Sequence, residues 1–275
     1  MLIDTHAHLD DRRFDGDRAE LLGRAHAAGI GAILAIGIGE GPAEMGHALA
    51  LCRQYNGQSG VPRLYASAGV YPHSTPDLND GYLTELDRLL AAPEVIACGE
   101  IGLDYYHQGA PHELQQRALI QQLELAAAHK RPILIHCRPT DGTSNTWDDL
   151  FPILDRYWAS TGLGGIMHCF SGTLPEARRS IDLGFLISCA GHTTYPKSQP
   201  LREVFAQLPL ESLVVETDAP YLAPLPERGK RNETAFLRHT ALTLAETLGL
   251  SVVEIESATT KNFFRLFRLH PDVGN

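Results

Sequence analysis

The sequence lacks the features that would assign it to a membrane or secreted class of protein. It has no run of apolar residues long enough to span a bilayer. Its start has neither the basic region nor the apolar stretch of a secretion signal, because Asp4 and His6 interrupt it at once. These absences predict a soluble, cytoplasmic protein that does not act on a membrane.

Paired cysteines and an excess of basic residues are also missing. The five cysteines form no Cys-x-x-Cys pair, so reduced thiols are expected rather than a disulfide framework. The formal net charge is −10, whereas a non-specific nucleic-acid binder would present a broad basic face. A phosphodiester substrate would therefore need bound cations and a few local basic residues to attract it.

Short apolar runs alternate with longer amphipathic segments along the whole chain. Strands buried on both faces have such a continuous apolar character, and eight alternating units favour a closed barrel over an open sheet. We predict one α/β domain over residues 1–275, a single (β/α)8 TIM-type barrel with an extra C-terminal helix, acting as a monomer. The predicted strands are residues 2–6, 33–36, 64–70, 95–100, 132–136, 165–168, 185–189 and 213–217. The predicted helices are residues 18–28, 42–54, 82–90, 112–129, 147–158, 175–183, 201–207, 234–248 and 252–267.

Metal-compatible side chains occur where several predicted strands end. In a barrel these carboxyl ends meet on one rim, which is where active sites lie. A single histidine or carboxylate there could equally be a polar cap, but a set of six favours a metal site. Imidazoles and carboxylates suit zinc, manganese, iron or nickel without a thiolate. The six residues are His6, His8, Glu100, His136, His168 and Asp218.

Strand adjacency divides these predicted ligands between two divalent ions, with magnesium, manganese and zinc as the candidates. His6, His8 and Asp218 come from the first and last strands, which become neighbours when the barrel closes. His136 and His168 come from the fifth and sixth strands. Glu100 is predicted to bridge the two ions, since one carboxylate can join ions about 3.5–4 Å apart.

Two divalent ions that share a carboxylate suit hydrolysis, because they make water more acidic and polarise the bond to be cut. Asp218 is the predicted general base, and Glu100 shares the catalytic site with it. Four further residues are predicted to contact substrate, although each could instead be a loop cap or a surface charge. These are His73, Arg138, Lys230 and Arg231.

The cysteines near the predicted site fit less well as ligands. Cys137 and Cys169 each follow a predicted histidine ligand, so strand alternation turns them outward, toward the helices. Cys98 shares the face of Glu100 and is expected to pack inside the barrel. We interpret these cysteines as small buried residues.

Several longer motifs resemble those of a known family. They are Asp4-Thr5-His6-Ala7-His8, Gly99-Glu100-Ile101-Gly102-Leu103-Asp104-Tyr105-Tyr106, His168-Cys169-Phe170-Ser171-Gly172, Val215-Glu216-Thr217-Asp218-Ala219-Pro220-Tyr221-Leu222 and Gly229-Lys230-Arg231-Asn232-Glu233. Together they resemble the TatD-family metal-dependent deoxyribonucleases of the amidohydrolase-like barrels, from Asp4 to about Asn262. The resemblance implies the same six ligands and divalent-metal-dependent hydrolysis of DNA phosphodiesters, often from a 3′ end.

Three positions depart from the family pattern. Tyr71 replaces the first histidine of the usual Gly-x-His-Pro-His, Pro139 stands where an acidic residue is common, and Thr234 replaces a proline. These departures affect the predicted substrate region and leave the metal ligands unchanged. Two alternatives remain: hydrolysis of an amide, ester or lactone on the same scaffold, and a non-enzymatic binding protein with a vestigial site.

Overall fold

The strands and helices alternate throughout the computed structural model, which describes residues 1–270; the last five residues of the domain predicted over 1–275 lie outside the described part. The strands are β1 (Leu2–Ala7), β2 (Ile30–Ala35), β3 (Arg63–Ala68), β4 (Val95–Asp104), β5 (Ile133–Arg138), β6 (Gly165–Met167), β7 (Phe185–Cys189) and β8 (Leu213–Val215). The α-helices of the described part are α1 (Arg18–Ala27), α2 (His47–Tyr55), α3 (Asp80–Leu90), α4 (His112–Ala128), α5 (Asn145–Tyr157), α6 (Leu174–Asp182), α7 (Gln199–Phe205), α8 (Leu237–Leu248) and α9 (Val252–Phe267).

The strands form one parallel sheet in the order β1 to β8. Two backbone hydrogen bonds close this sheet into a barrel: His8 N donates to Ala219 O at 2.8 Å, and Asp218 N donates to His6 O at 2.9 Å. A helix follows each strand, and α9 is the additional helix at the end. The predicted (β/α)8 barrel with an extra C-terminal helix is confirmed.

The amino-terminal half of the barrel interior is a layer of apolar side chains. Six of them are the second residue of their strands and belong to one interior cluster near the amino end. These residues are Ile3, Ile96, Leu134, Ile166, Leu186 and Val214. Three phenylalanines of α9 pack against this layer and cover the amino end: Phe263, Phe264 and Phe267.

Helix α9 is capped at its start and bonded to the barrel near its other end. Ser251 accepts a hydrogen bond from Glu254 N, and the Glu254 carboxylate accepts one from Ser251 N, so a capping box starts the helix. Near its other end the buried Asn262 amide donates to Leu210 O and Leu213 O. These bonds hold the phenylalanines of α9 against the first residues of β8.

Several predicted boundaries differ from the structure close to the carboxyl rim. Strand β4 runs to Asp104 rather than residue 100, because its ladder with β5 continues as far as Asp104 and Arg138. Strand β8 ends at Val215, where its pairing with β7 ends. Strand β6 ends at Met167, and Cys169 beyond it has a positive φ of 46°. The rim therefore contains more irregular backbone than the apolar pattern predicted.

The expectation that Cys98 packs inside the barrel is wrong. Its thiol faces α4, where Sγ lies 3.9 Å from Gln122 O, whereas Ala97 belongs to the interior cluster. The register between β4 and β5 is irregular between Cys98 and Ile101. This irregularity breaks the two-residue alternation, so Cys98 and Glu100 lie on different faces.

None of the helices within residues 1–270 combines the length and the apolar character needed to cross a membrane.

Candidate metal centre

The six predicted ligands converge at the carboxyl mouth of the barrel, around Glu100. One oxygen of this carboxylate, Oε2, lies 3.3 Å from His6 Nε2 and 3.7 Å from His8 Nε2. The other oxygen, Oε1, lies 2.9 Å from His136 Nδ1 and 3.5 Å from His168 Nε2. Glu100 thus stands between two pairs of imidazoles, with one oxygen directed at each pair.

Asp218 faces the same cavity from the other side. Its Oδ1 lies 3.3 Å from His8 Nε2, 3.8 Å from His6 Nε2 and 3.9 Å from His168 Nε2. The residue has a φ of 57°, in the left-handed region, and its backbone N–H is bonded to His6 O. The irregular backbone after β8 therefore turns this carboxylate into the mouth rather than along the strand.

A glycine allows β4 and β5 to approach closely at His136. Gly102 has a φ of +143°, and a Cβ built on it would lie 2.0 Å from His136 O. Any side chain at this position would require His136 to move. The glycine therefore sets the distance between the strands that carry Glu100 and His136.

The cavity contains buried carboxylates whose negative charge favours a bound cation. Burial alone would raise the pKa of Glu100, but the charges and hydrogen bonds of His168, His136 and His6 hold the pKa of that carboxyl well below its usual range. Burial alone would lower the pKa of His168, but Glu216 and Glu100 raise it to about 10. Both shifts show buried carboxylates that stay ionised and draw a cation, whether a proton or a metal.

The arrangement of donor atoms fits divalent cations. His6 Nε2 and His8 Nε2 lie 3.3 Å apart, and both lie within 3.7 Å of Glu100 Oε2, so the three atoms face one small space. Within residues 1–270, two groups of three have ligand atoms that all lie within 4.8 Å of one another and share Glu100. They are His6–His8–Glu100 and Glu100–His136–His168. Imidazole and carboxylate sets of this kind suit divalent transition metals.

Asp104, which the strand-end reasoning did not select, orients His136. Its Oδ1 accepts hydrogen bonds from Tyr106 N and His107 N, both at 3.0 Å. Its Oδ2 lies 3.2 Å from His136 Nε2. A proton on Nε2 that is held by Asp104 leaves His136 Nδ1 free toward Glu100. The available signal was its spacing of four residues from Glu100 on one strand.

Glu216 performs the corresponding role for His168 and was also missed. Its Oε1 lies 2.8 Å from His168 Nδ1, as a close ion pair rather than an aligned hydrogen bond. The same oxygen accepts a hydrogen bond from Cys169 N at 2.7 Å. His168 consequently presents Nε2 to the cavity. The available signal was its position inside the predicted strand 213–217, two residues before Asp218.

Asp4 joins the first and last strands behind the cavity. It accepts hydrogen bonds from Thr217 N at 2.9 Å and Thr217 Oγ1 at 2.6 Å, and His6 N lies 3.3 Å from its Oδ1. Burial raises the pKa of Asp4 to about 7, although these hydrogen bonds oppose the shift. The first carboxylate of the sequence therefore fixes backbone rather than facing the mouth.

Tyr71, the first of the three departures from the family pattern, lies beside His136. Its hydroxyl is 3.3 Å from Asp104 Oδ2 and 3.3 Å from His136 Nε2. Burial raises the pKa of Tyr71, and the charges of Glu100 and Asp104 raise it further. The hydroxyl therefore stays protonated and donates to Asp104.

Two of the four predicted substrate residues lie next to the cavity. His73 Nε2 lies 3.1 Å from Asp104 Oδ2. Arg138, at the end of β5, places its guanidinium 4.6 Å from the centre of the Tyr106 ring. Within the described residues, the Arg138 guanidinium forms no ion pair. Its charge is therefore open to an anion at the mouth.

The basic loop after β8 differs from the expectation. Lys230 Nζ bonds Glu227 at 2.6 Å, and Arg231 forms two 2.7 Å hydrogen bonds with the Asp17 carboxylate. Arg231 Nη1 also donates to Arg13 O at 2.7 Å. These contacts favour a structural role for Arg231 in joining the β8 loop to the start of α1.

The two residues that follow Arg231 hold the same loop in place. The buried Asn232 amide donates to Thr217 O at 2.8 Å and to Tyr221 O at 2.6 Å. The single N–H of Arg24 Nε is shared between both oxygens of the Glu233 carboxylate, and Nη2 donates to one of them. The motif therefore fixes the backbone on both sides of Asp218.

The outward orientation expected for Cys169 is wrong. Strand geometry ends before this residue, and its positive φ turns the thiol toward the mouth. Its Sγ lies 3.7 Å from His192 Nδ1, and it groups with His168 and Asp218. Burial raises the pKa of this thiol well above its usual range, and the charges of Asp218 and Glu216 add to the shift. Cys137, by contrast, packs against the helix-facing core as expected.

A parallel eight-stranded barrel with histidines and carboxylates around its carboxyl mouth defines the class of metal-dependent barrel hydrolases. The family model described as TatD related DNase matches residues 3–268. The chain belongs to this TatD family.

Curated relatives and a solved structure agree with the family. The uncharacterized metal-dependent hydrolase YabD of Bacillus subtilis is 35% identical, over 98% of this chain and 100% of that protein. The 3′-5′ ssDNA/RNA exonuclease TatD of Cronobacter turicensis is 34% identical, over 97% of each chain. The crystal structure of YJJV, a TatD homolog from Escherichia coli K12, superposes with a TM-score of 0.87 at 34% identity, over 98% of each chain.

Proposed function

We propose that this protein is a divalent-metal-dependent nuclease that hydrolyses DNA phosphodiester bonds from a 3′ end. The position of Glu100 carries the proposal, since each of its oxygens faces a separate pair of histidines. That arrangement suits two cations that share one carboxylate. The relative from Cronobacter turicensis, named as a 3′-5′ ssDNA/RNA exonuclease, supports the choice of substrate.

The six rim residues would hold the cations in two groups. His6, His8 and Asp218 would hold one cation, and His136 and His168 the other, with Glu100 shared between them. When bound, the two cations supply Lewis acidity to the phosphodiester and make water a stronger acid. Asp104 and Glu216 keep the rings of His136 and His168 in the orientation that this requires.

Asp218 acts as the general base in this proposal. The histidines around it outweigh the effect of its burial and lower the pKa of its carboxyl, so it is ionised and ready to accept a proton from water. Arg138 binds a phosphate oxygen through a guanidinium that has no ion-pair partner within residues 1–270. His73 borders the same space beside Asp104.

The test uses protein stripped of metal and reloaded separately with magnesium, manganese or zinc. End-labelled single-stranded and duplex DNA are the substrates, and metal content is measured on the same samples. We expect two equivalents of metal per chain and stepwise shortening of the DNA from the 3′ end that requires metal. Asp218→Asn should lose this activity, while Asp87→Asn on the exposed face of α3 should keep it.

The other outcomes separate the alternatives. Protein that holds its ions but cuts no DNA with any of the metals would contradict the nuclease proposal. It would direct the search to amides, esters or lactones, with Tyr71 and Pro139 as the first positions to examine. Failure to bind more than trace metal would favour a non-enzymatic protein with a vestigial site.

A further inference from the structure

Two tyrosines stand apart from the other aromatic residues of this protein. The chain contains nine tyrosines, nine phenylalanines and two tryptophans. Within residues 1–270, only Tyr106 and Tyr221 among them are exposed, at 41% and 47%. A large part of each of these two rings is therefore accessible to a ligand.

Both tyrosines lie at the mouth that holds the metal centre. Tyr106 follows Asp104, the last residue of β4, and Tyr221 lies three residues after Asp218 beyond β8. In the strand order β1 to β8 of a closed barrel, β4 and β8 are on opposite sides. The Tyr221 ring is 5.8 Å from the His8 ring, edge to face. The two exposed rings therefore stand on opposite sides of the candidate metal centre.

Each exposed ring carries an arginine on one face. The Arg138 guanidinium lies 4.6 Å from the centre of the Tyr106 ring, and the Arg13 guanidinium lies 4.3 Å from that of Tyr221. Arg13 also bonds the Asp11 carboxylate through Nε and Nη2, at 2.9 and 2.7 Å, so Arg138 is the less neutralised of the two. The Arg138–Tyr106 pair thus places aromatic surface beside a positive charge that no ion pair within residues 1–270 compensates, in a chain of net charge −10.

This combination matches unpaired nucleotides. A base has an aromatic face whatever its sequence, and stacking on tyrosine is the usual contact for single-stranded nucleic acid. A paired and stacked base inside a duplex has no free face to offer to either ring. A guanidinium beside each ring suits the phosphate that accompanies each base.

We propose that Tyr106 and Tyr221 each stack on one unpaired base, on opposite sides of the phosphodiester bond that is cut. A single-stranded segment of at least two nucleotides then spans both rings, with Arg138 and Arg13 beside its backbone. This inference rests on the proposed nuclease function, and it specifies which end of a DNA molecule the site accepts. A blunt duplex end must separate before it can bind.

Binding can be measured separately from cleavage. The probe is a fluorescein-labelled single-stranded oligothymidylate with phosphorothioate linkages, and a second oligomer of the same length has abasic sugars throughout. Fluorescence anisotropy in magnesium gives Kd for wild type, Tyr106→Ala and Tyr221→Ala. Tyr106→Phe and Tyr221→Phe retain the rings. Leu242→Ala removes an apolar side chain that is 45% exposed on α8, away from the mouth.

Each alanine variant should raise Kd for the oligothymidylate by about fivefold or more, the lower end of what one base stack contributes. The phenylalanine variants should bind nearly as wild type does. The abasic oligomer should bind more weakly to wild type, and neither alanine variant should weaken it further, because no base remains to stack. Equal Kd values for wild type and both alanine variants would overturn the inference, as would equal losses on the two oligomers.

The cleavage assay with unmodified oligonucleotide separates the two proposals. If wild type binds the oligothymidylate through its tyrosines but cuts nothing, the stacking inference holds and the nuclease proposal fails. If wild type cuts DNA and both alanine variants keep its KM, the nuclease proposal holds and the stacking inference is overturned.

Discussion

The two ends of the barrel are almost equally buried but have opposite chemistry. At the amino end, apolar side chains such as Ile3 and Leu134 pack against the phenylalanines of α9. At the carboxyl end, His6 and Glu100 are just as inaccessible, yet they are polar and ionisable. Burial of apolar groups stabilises the fold, whereas burial of charged groups without full compensation destabilises it. This protein therefore gains stability at one end of the barrel and places its ionisable residues at the other.

The largest expected effect comes from a change at the carboxyl end that preserves shape. Asp218→Asn keeps the size of the side chain but removes a base, so kcat for DNA cleavage should fall by about 10²–10⁴-fold. The midpoint of thermal unfolding of the metal-free protein should not fall. A variant that loses activity only because it unfolds earlier would contradict the division between the two ends.

The opposite test removes a ring at the amino end. Phe263→Ala leaves a cavity beneath Tyr65, whose ring centre is 5.8 Å from that of Phe263. The free energy of unfolding should fall by about 3–5 kcal/mol. Urea unfolding gives this value. Measuring kcat at temperatures well below the unfolding transition shows whether the carboxyl end is affected. A large loss of kcat in fully folded protein would show that the ends are coupled.

Metal removal should lower the stability of the protein only through the loss of contacts at the carboxyl end. A ligand at 100 times its Kd stabilises the folded state by about 2.7 kcal/mol, so chelation should lower the unfolding midpoint measurably. Phe263→Ala should show the same midpoint shift between metal-free and metal-loaded protein as wild type. Glu100→Ala should show little or no shift. An unchanged shift in Glu100→Ala would remove that residue from the centre.

Two arginines give the smallest and most local test. Arg138→Ala should raise KM for DNA roughly tenfold, as expected for loss of a charge-assisted hydrogen bond, with little change in stability. Arg231→Ala should lower the free energy of unfolding by about 1 kcal/mol or less, because its pair with Asp17 is partly solvent-exposed. Arg231→Ala should leave KM for DNA unchanged, and Arg138→Ala should leave the free energy of unfolding nearly unchanged. If Arg231→Ala raised KM for DNA, Arg231 would have to be assigned to the substrate site after all.

The barrel and the meeting of six side chains could be predicted because both depend on strand order. His6, His136 and Asp218 stand at strand ends, and parallel strands of a barrel bring such ends together whatever the loops do. Apolar residues at helical spacing after the last strand likewise predicted the extra helix α9. These features need only local pattern and topology.

Other features depend on contacts that no local pattern specifies. Asp104 and Glu216 became identifiable only when the fold placed them against the nitrogens of His136 and His168. Cys98 and Cys169 were misplaced because alternation fails at an irregular register and at a positive φ. Arg231 was predicted to contact substrate, whereas its guanidinium bonds the Asp17 carboxylate.

Barrel closure has a consequence for how the protein is made. Asp4 and Thr217 are 213 residues apart in sequence, yet their hydrogen bonds join the strands that carry His6 and Asp218. During translation the first histidines leave the ribosome long before the aspartate that completes their group. A chain interrupted before that point contains His6 and His8 without Asp218. The growing polypeptide therefore cannot assemble the whole centre until nearly all of it has been synthesised.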